Sequence, residues 1–488
     1  MFNYIGLEEN FIYDLVNSED VFSNSTFGNV NYKKVFELTM EQRIFPTVYC
    51  LLRENVDSEA FVVFEKEKQR IRLKNAIVKH QIKAIVTCFY EHNIKFAISK
   101  GIAHANEIYR DPFLRDMNDI DIVISSDDYI KGCEMLESIG YAITETANDK
   151  IAFFEANRSQ CTFVKGGCLS VELKDRIQYV WQNHLEQWFD RVEYKDIGGV
   201  SVPVFSTEDM FINILVNSNK NMSTPYGIDN DYRIRDLLEL YLFIFKNHSI
   251  FTKEFVNMLT QDGYAHSLSC MMDYCEEFFT RDKYEKIPQA LRQARTTDYG
   301  KDHVRWKTPI VRRLFDTEQR IQEHHLFRFG NYFGDDSRAT FISNGDTIDV
   351  GLTDYAKDNN INISFKLQVI DDKVRLSFSL NNLPKESVYY IRVRIADPST
   401  IDEKAYRTNI INLSGSTFTY MSENDEITYS KEKSELTVAC HKDKILFGDK
   451  ASFFMSFLMN EIHSENKSSQ CIGFIGESIR LKKIILNN

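Results

Sequence analysis

The sequence predicts an α+β protein in which a mixed α/β core with flanking helical segments precedes an all-β sandwich. Three observations predict this class. Residues 35–92 repeat apolar residues at helical spacing, residues 93–205 mix short alternating segments with helical ones, and alternating strands dominate after about residue 330. Because these periodicities are separated along the chain, they indicate separate structural units. A length of 488 residues also exceeds one ordinary hydrophobic core.

The chain is accordingly expected to have four segments. They are an N-terminal helical region at 1–92, an α/β core at 93–205, a helical domain at 206–330 and a C-terminal β-sandwich at 331–488. The helical domain should begin directly after a strand, because Ser206 followed three residues later by Asp209 is typical of a helix cap.

The end of the first segment predicts a long amphipathic helix. Its apolar residues recur at steps of three and four, the spacing of one helix face that packs on a core. These residues are Leu73, Ile77, Val78, Ile82, Ile85, Val86 and Phe89. The helix leads into residues 95–105, which predict a short strand, a tight turn at Lys100 and Gly101, and a new helix. Such a helix N-terminus offers free N–H groups to a phosphate, Lys100 adds positive charge, and Gly101 permits close approach.

Two carboxylates lie two residues apart on a predicted strand at 115–124. Side chains of a strand alternate between faces, so Asp119 and Asp121 project to one side while the isoleucines that alternate with them anchor the other. Fixed, parallel carboxylates can hold metal ions against a triphosphate. The alternative is a turn or a solvated sheet edge, where Asp-x-Asp is also common.

A third carboxylate is expected on a neighbouring strand. After a helix predicted from Tyr129 to Ile139 and closed by Gly140, short strands are expected near 151–154, 161–165 and 169–173. In the last of these, Glu172 alternates with apolar residues, so its side chain points away from the apolar face. Glu172 can therefore join the two aspartates. The alternative is a strand residue that faces solvent.

The order and spacing of several motifs resemble the uncharacterised nucleotidyltransferase-like family of the DNA polymerase β superfamily, over about residues 35–245. The motifs are Ser99-Lys100-Gly101, Ile108-Tyr109-Arg110-Asp111-Pro112, Arg115, Asn118-Asp119-Ile120-Asp121-Ile122-Val123 and Ile139-Gly140-Tyr141. The resemblance implies a polymerase-β-like core in which Asp119 and Asp121 are paired metal ligands and Glu172 is the third carboxylate. The family usually has Glu-Leu-His where this chain has Glu-Leu-Lys at 172–174.

The same resemblance suggests which residues bind the nucleotide. In the segment 231–240, Arg233 or Arg235 would reach phosphates and Asp236 would orient one of them, although an ordinary Arg–Asp pair explains this segment equally well. The expected nucleotide-binding residues are Ser99, Lys100, Gly101, Arg115, Asn118 and Arg235.

Together these residues predict a metal-dependent nucleotidyltransferase. Magnesium prefers carboxylate, phosphate and water oxygens, so two Mg²⁺ ions are expected, with Mn²⁺ as an alternative. Divalent ions neutralise a triphosphate and lower the pKa of the acceptor. Asp119 and Asp121 would hold the ions, and Glu172 would bind the acceptor-side ion or take the acceptor's proton. The reaction would move a nucleoside monophosphate, AMP from ATP, to a small molecule, peptide, protein or RNA and release pyrophosphate.

Two other classes of function stay open at this point. One is a catalytically silent nucleotide-binding module, and the other is an RNA-directed nucleotidyltransferase toxin. The net charge of −12 weighs against the second, because broad nucleic-acid binding depends on many Lys and Arg contacts to phosphate. The apolar content of 43%, the absence of a run of about 20 apolar residues and a start that does not read as a signal peptide predict a cytoplasmic protein without a membrane partner.

The C-terminal segment predicts antiparallel strands. Apolar residues alternate over 361–369 and again from Val374 to Leu380, with a turn at Asp371 and Asp372 between them, as in a β-hairpin. Residues 388–395 and later runs continue the pattern and indicate a sandwich. The resembled family does not require this segment. It is therefore expected to recognise the acceptor or to dock a partner.

Overall fold

A computed structural model of the chain separates into two compact units, Met1–His324 and His325–Asn488. It confirms the α+β class, with helices and one mixed sheet in the first unit and antiparallel sheets in the second. The structure describes residues 2–18, 29–53, 55–56, 58–143, 154, 160–175, 177, 185–223, 225–262, 264–294, 306–329, 340–352, 354–383, 388–396, 407–414, 417–421, 426–441, 452–462, 469–475 and 482–487.

The first unit begins with helices that end in one long amphipathic helix. The helices are α1 (Leu7–Asn17), α2 (Tyr32–Glu41), α3 (Phe45–Leu52) and α4 (Ser58–Glu91), the last with 34 residues. The predicted core face of α4 is confirmed in its second half, where Val78, Ile82, Ile85, Val86 and Phe89 are buried.

The first half of α4 corrects the prediction. Leu73 is 71% exposed and Ile77 is 41% exposed, so neither belongs to the core. The buried stripe runs instead through Ile71 and Asn75 to Val78. Because Asn75 is polar, apolar spacing alone places the buried face on the wrong side at this end of the helix.

Polar side chains of α4 hold the backbone segments that lead into the central strands. The Nδ2 of Asn75 donates to the carbonyl oxygens of Phe113 and Arg115, at 2.8 and 2.9 Å. The Nε2 of Gln81 donates to the carbonyl of Leu169 at 2.9 Å, and its Oε1 accepts from the N–H of the same residue at 2.9 Å. Buried amides satisfy otherwise unpaired backbone groups, so α4 fixes where both segments enter the sheet.

The mixed sheet of the first unit has seven strands in the order β3-β4-β5-β2-β1-β7-β6. Strand β2 lies between β1, with which it is antiparallel, and β5, with which it is parallel. The apolar side chains of β2 are buried, as expected for a strand inside a sheet. The strands are β1 (Phe96–Ile98), β2 (Asp119–Ile124), β3 (Ala142–Ile143), β4 (Cys161–Val164), β5 (Ser170–Lys174), β6 (Glu193–Asp196) and β7 (Ser201–Val204).

Two short helices cover this sheet next to β2. Helix α5 (Ile102–Ile108) follows β1, and α6 (Tyr129–Ser138) follows β2 and ends before Gly140, as predicted. A Cβ at Gly132 of α6 would lie 2.3 Å from the Cδ1 of Ile124, so a larger residue here would require the Ile124 side chain to shift. The strand predicted near 151–154 falls on residues outside the described part of the chain, apart from Phe154, which is buried.

A helical region follows β7 and is capped as predicted. The Oγ of Ser206 accepts from the N–H of Asp209 at 3.2 Å and donates to its carboxylate at 2.8 Å. The helices of the remaining chain in this region are α7 (Leu185–Phe189), before β6, and then α8 (Thr207–Ser223), α9 (Pro225–Asn230), α10 (Ile234–Lys246), α11 (Lys253–Gln261), α12 (Ala265–Phe278), α13 (Arg281–Glu285), α14 (Gln289–Gln293), α15 (Ile310–Phe315) and α16 (Thr317–Phe329).

The second unit contains two sheets. Strands β11 and β12 pair in antiparallel register from Asn362 opposite Asn381 to Ile370 opposite Lys373, which confirms the predicted hairpin. Apolar side chains from both sheets share one buried core, among them Phe365, Phe378 and Ile391. The elements are β8 (Thr340–Ser343), β9 (Thr347–Asp349), β10 (Gly351–Leu352), α17 (Asp354–Asp358), β11 (Asn362–Ile370), β12 (Lys373–Asn381), β13 (Val388–Ala396), β14 (Arg407–Ser414), β15 (Thr417–Met421), β16 (Glu426–Ser430), β17 (Glu435–His441), β18 (Ser452–Ile462), β19 (Ser469–Ile475) and β20 (Lys482–Asn487).

Within the described part of the chain, every helix is too short or too polar to span a membrane.

The revised face of α4 leads to a stability prediction. Truncation of the buried Ile82 to alanine should lower the free energy of unfolding by roughly 2–5 kcal/mol, because it leaves a cavity in the core. Leu73→Ala, on the same helix but exposed, should change it by less than about 0.5 kcal/mol. Urea unfolding followed by far-ultraviolet circular dichroism measures both. Equal losses in the two variants would contradict the observed face.

Candidate active site

Three carboxylates meet on the two adjacent parallel strands β2 and β5. The register places Asp121 directly opposite Glu172, and Asp119 lies two residues before Asp121 on the same face of β2. One carboxylate oxygen from each of the three lies within 4.8 Å of the others. Asp121 is buried, whereas Asp119 and Glu172 are partly exposed. The sheet therefore brings together the carboxylates that the alternation of residues predicted.

Two lysines supply positive charge to this cluster. The Nζ of Lys174 donates to the Oδ1 of Asp121 at 2.5 Å and lies 3.5 Å from the Oε2 of Glu172. The Nζ of Lys100 lies 3.7 Å from the same Oδ1 of Asp121. Glu172 also accepts at its Oε1 from the side-chain amide of Gln160, at 2.8 Å. Asp121 is thus the most strongly compensated of the three carboxylates.

The protonation of the three carboxyls follows from this arrangement. Burial acts to raise the pKa of Asp121, but Lys100 and Lys174 outweigh it and hold that pKa well below its usual range. Burial, and then the neighbouring charge of Asp121, raise the pKa of Asp119. Burial also raises the pKa of Glu172, although Lys174 opposes the shift. Asp121 stays ionised, while Asp119 and Glu172 hold protons more readily than an exposed carboxylate does.

The pKa values of the two lysines are shifted in opposite directions. Burial acts to lower the pKa of Lys174, yet Asp121 and Glu172 raise it above the usual range, so Lys174 is a permanent cation. Burial lowers the pKa of Lys100 to about 8, and Asp121 opposes this shift only in part. Lys100 is therefore the lysine whose charge changes near neutral pH.

The turn between β1 and α5 lies against the carboxylate strand. The backbone N–H of Ser99 donates to the carbonyl of Asp121 at 3.0 Å, and Asn213 donates to the carbonyl of Ser99 at 2.9 Å. Gly101 has a φ of 53° and a ψ of −109°, a conformation that residues with a Cβ rarely adopt. The Oγ of Ser99 is buried and has no hydrogen-bond partner among the residues that the structure describes. The predicted strand, turn and helix start are therefore present.

Arg115, which is largely buried, forms an ion pair with the buried Glu239 that links the segment before β2 to helix α10. Its Nε donates to the Oε1 of Glu239 at 2.7 Å, and the hydroxyl of Tyr109 donates to the same oxygen at 3.1 Å. Burial acts to raise the pKa of Glu239, but Arg115 outweighs it and lowers that pKa to about 2. Burial lowers the pKa of the nearby His104 to about 3, so its imidazole is neutral.

The other predicted nucleotide-binding residues contact protein groups. Arg235 is half-buried at the start of α10, and its guanidinium lies 3.5 Å from the Oδ1 of Asp236. The side chain of Asn118 accepts from the Nζ of Lys74 at 2.9 Å. The structure thus brings Asp119, Asp121, Glu172 and Lys100 together, whereas the assignment of Arg115, Asn118 and Arg235 to a nucleotide stays a prediction.

Sequence reasoning missed Lys174 and Glu239 as parts of this region. A signal for Lys174 was present, because alternation along β5 places residues 172 and 174 on the same face. For Glu239 the signal was weaker: it is an acidic residue within the apolar stretch Leu237–Phe245 of helix α10.

The carboxylate cluster has the ligand chemistry for a hard divalent cation. Among the described residues, Asp119, Asp121 and Glu172 form a group that can hold a metal ion. All its donors are carboxylate oxygens, which Mg²⁺ and Mn²⁺ prefer, and two of the residues remain partly exposed to an incoming ligand. The residues therefore fit a divalent ion bound together with phosphate oxygens.

Comparison with known proteins shows the family of the chain. A family model described as an uncharacterised nucleotidyltransferase matches residues 28–280, just over half of the chain. The chain therefore belongs to this family and is a nucleotidyltransferase, which confirms the resemblance of its motifs. No curated protein matches the chain.

Two solved structures are similar to part of the chain. The antibiotic-resistance factor ANT(2'')-Ia is 14% identical with a TM-score of 0.27, and the match covers 38% of this chain and 94% of that one. An antigenic nucleotidyltransferase-like protein from Paracoccidioides brasiliensis is 16% identical with a TM-score of 0.24, covering 39% of this chain and 93% of that one.

The buried Arg115–Glu239 pair generates a prediction. Glu239→Gln removes one charge and leaves the guanidinium of Arg115 unpaired in the interior, so unfolding free energy should fall by roughly 3–5 kcal/mol at neutral pH. The exposed Glu134→Gln on α6 is the control and should leave it unchanged.

The pH dependence separates charge from packing. Because the pKa of Glu239 falls from 4.5 to about 2 on folding, its contribution is complete above pH 4.5 and is lost as the pH falls towards 2. The difference between wild type and Glu239→Gln in chemical denaturation should therefore narrow as pH decreases below about 4.5. A difference that stays constant with pH would assign the effect to packing.

Proposed function

We propose that this nucleotidyltransferase is metal-dependent and transfers a nucleoside monophosphate, AMP from ATP, to an acceptor with release of pyrophosphate. The acceptor is a group on a small molecule, peptide, protein or RNA. The observation that carries the proposal is the meeting of Asp119, Asp121 and Glu172 within 4.8 Å on adjacent parallel strands. Three fixed carboxylates beside two lysines are suited to bind divalent ions and a polyphosphate together.

The proposed chemistry follows from the charges of the site. Magnesium or manganese held by Asp119 and Asp121 would neutralise the triphosphate and lower the pKa of the acceptor. The acceptor oxygen forms a bond to the α-phosphorus, and the bond from that phosphorus to the bridging oxygen of the leaving pyrophosphate breaks. Glu172 takes the acceptor's proton, a role that its raised pKa favours because a base works best near the operating pH.

The turn at 99–101 is proposed to receive the triphosphate. Lys100 supplies charge, Gly101 lets the phosphates approach the backbone, and the buried hydroxyl of Ser99, unpaired among the described residues, would bind an oxygen. Arg115, Asn118 and Arg235 are assigned to the nucleotide by resemblance. Their present contacts, to Glu239, Lys74 and Asp236, would hold them in place or exchange when the nucleotide binds. We assign the second unit to recognition of the acceptor.

One alternative function has a specific observation in its favour. The Nζ of Lys174 lies 2.5 Å from Asp121, where it competes with a divalent ion for the same carboxylate oxygen. A site closed to metal in this way would bind nucleotide without chemistry. An RNA-directed transferase gains no such support, since the net charge is −12.

The carboxylates provide the first test of this proposal. The purified protein is incubated with each α-labelled nucleoside triphosphate, Mg²⁺ and cell extract, and label in small molecules, peptides, protein and RNA is measured. Asp119→Asn and Asp121→Asn keep the shape of the site but remove its charge, so transfer should fall below detection. Glu172→Gln should lower kcat by roughly 10²–10⁴-fold if it removes the base.

The matched control for Glu172→Gln is Glu193→Gln, an exposed glutamate on β6 of the same sheet. It should retain wild-type transfer. Tight nucleotide binding without transfer or pyrophosphate release in any extract would favour the silent module. Equal transfer in the wild type and both aspartate variants would exclude the proposed site.

Lys100 provides a prediction about pH. With a pKa of about 8, its ammonium is lost as the pH rises through that value, and attraction for the triphosphate is lost with it. The kcat/KM for the nucleotide should therefore fall above about pH 8, since this ratio reports groups of the free enzyme. Lys100→Met should have a lower kcat/KM and lack this alkaline decline. The exposed Lys131→Met should keep the wild-type profile, and a decline that persists in Lys100→Met would assign it to another group.

A further inference from the structure

The ammonium of Lys174 lies between the carboxylates of Asp121 and Glu172. It is 2.5 Å from the Oδ1 of Asp121 and 3.5 Å from the Oε2 of Glu172, and its side chain is 7% exposed. The resembled family usually has histidine at this position, which carries less charge at neutral pH. A lysine here is a fixed positive charge within the carboxylate cluster.

A divalent ion bound by the same two carboxylates would have to share this space. Mg²⁺ lies about 2.0–2.1 Å from its oxygen ligands, so an ion bridging Asp121 and Glu172 would be pressed against the ammonium. Two cations at such a short separation in a largely buried site repel strongly. The Oδ1 of Asp121 already faces a second ammonium, that of Lys100 at 3.7 Å. Within the described part of the chain, Asp119 has no lysine at ion-pair distance.

We propose that Lys174 replaces the acceptor-side metal ion, so that the site binds one divalent ion with the nucleotide rather than two. This inference rests on the proposed function and changes its cation count. Asp119 and Asp121 would hold the single ion together with the phosphates. Lys174 compensates Asp121 and Glu172 in its place.

The replacement has a chemical consequence for Glu172. An ammonium is not a Lewis acid and cannot coordinate the acceptor oxygen, so it does not lower the acceptor's pKa as a metal ion does. Proton removal then depends on Glu172. Gln160 donates a hydrogen bond to one oxygen of this carboxylate, and Lys174 donates to the other. Lys174 acts on the reaction through Asp121 and Glu172 and is therefore a positioning residue.

The number of bound ions tests the proposal without any turnover. Mn²⁺ is titrated into the full-length protein with a saturating α,β-methylene nucleoside triphosphate, and protein-bound Mn²⁺ is counted by electron paramagnetic resonance. The wild type should bind one ion per chain. Lys174→Met, which keeps the length of the side chain but removes its charge, should bind two.

Matched variants keep the experiment decisive. Lys131→Met removes an exposed lysine and should leave the count at one. If Lys174→Met fails to fold in circular dichroism, Lys174→His restores the residue usual in the resembled family and should also bind two ions. Two ions in the wild type, or one ion in a folded Lys174 variant, would overturn the proposal.

The aspartate variants separate this proposal from the function on which it rests. Asp119→Asn should bind less than one Mn²⁺ per chain under the same conditions, because it removes one of the two carboxylates proposed to hold the ion. If Mn²⁺ binding in the wild type is undetectable or is the same in Asp119→Asn, the metal-dependent function itself fails, and the replacement by Lys174 fails with it. Two ions that depend on Asp119 would retain the function and reject the replacement alone.

Discussion

The repulsion among three carboxylates is the constraint on which the rest of this site depends. Strand pairing places Asp121 opposite Glu172, and the pleat places Asp119 on the same face, so the oxygens approach within 4.8 Å. Such a cluster is stable in a largely buried place only if positive charge lies beside it. The turn after β1 supplies Lys100 and the end of β5 supplies Lys174. The same electrostatics that satisfy the fold also prepare a site for a polyphosphate and its metal ion.

Local pattern was sufficient to predict the parts of the structure that repeat along the chain. Alternation predicted the faces of β2 and β5 and the hairpin of β11 and β12, because the side-chain period of a strand is fixed by its backbone. Ion pairs between distant residues leave no periodic pattern in the sequence. Lys174 and Asp121 are 53 residues apart, and Arg115 and Glu239 are 124 residues apart, so their pairing depends on topology that no window of sequence contains.

The wrong prediction of the buried face in the first half of α4 also comes from tertiary contacts that the local sequence does not contain. Leu73 and Ile77 fit the apolar spacing, yet the helix buries Asn75 instead, because the amide satisfies two backbone carbonyls before β2. Gln81 does the same for the segment before β5. A buried polar side chain is favourable only where backbone groups without other partners can form hydrogen bonds with it. The tertiary structure decides where such groups lie. The polar residues of this helix therefore position the site, while its apolar residues hold the helix on the core.

The contact between Lys174 and Asp121 can be explained by two opposite functions, and charge balance distinguishes them physically. Asp119, Asp121 and Glu172 carry three negative charges against two from Lys100 and Lys174, so a fully ionised cluster remains net negative. A triphosphate, which is itself strongly anionic, would be repelled by that excess. Binding of the nucleotide therefore requires additional positive charge, and one divalent ion at Asp119 supplies it while Lys174 stays in place. Lys174 takes the cation position between Asp121 and Glu172, and the position at Asp119 must still be filled by a divalent ion. We therefore favour a transferase with one metal ion over a silent module.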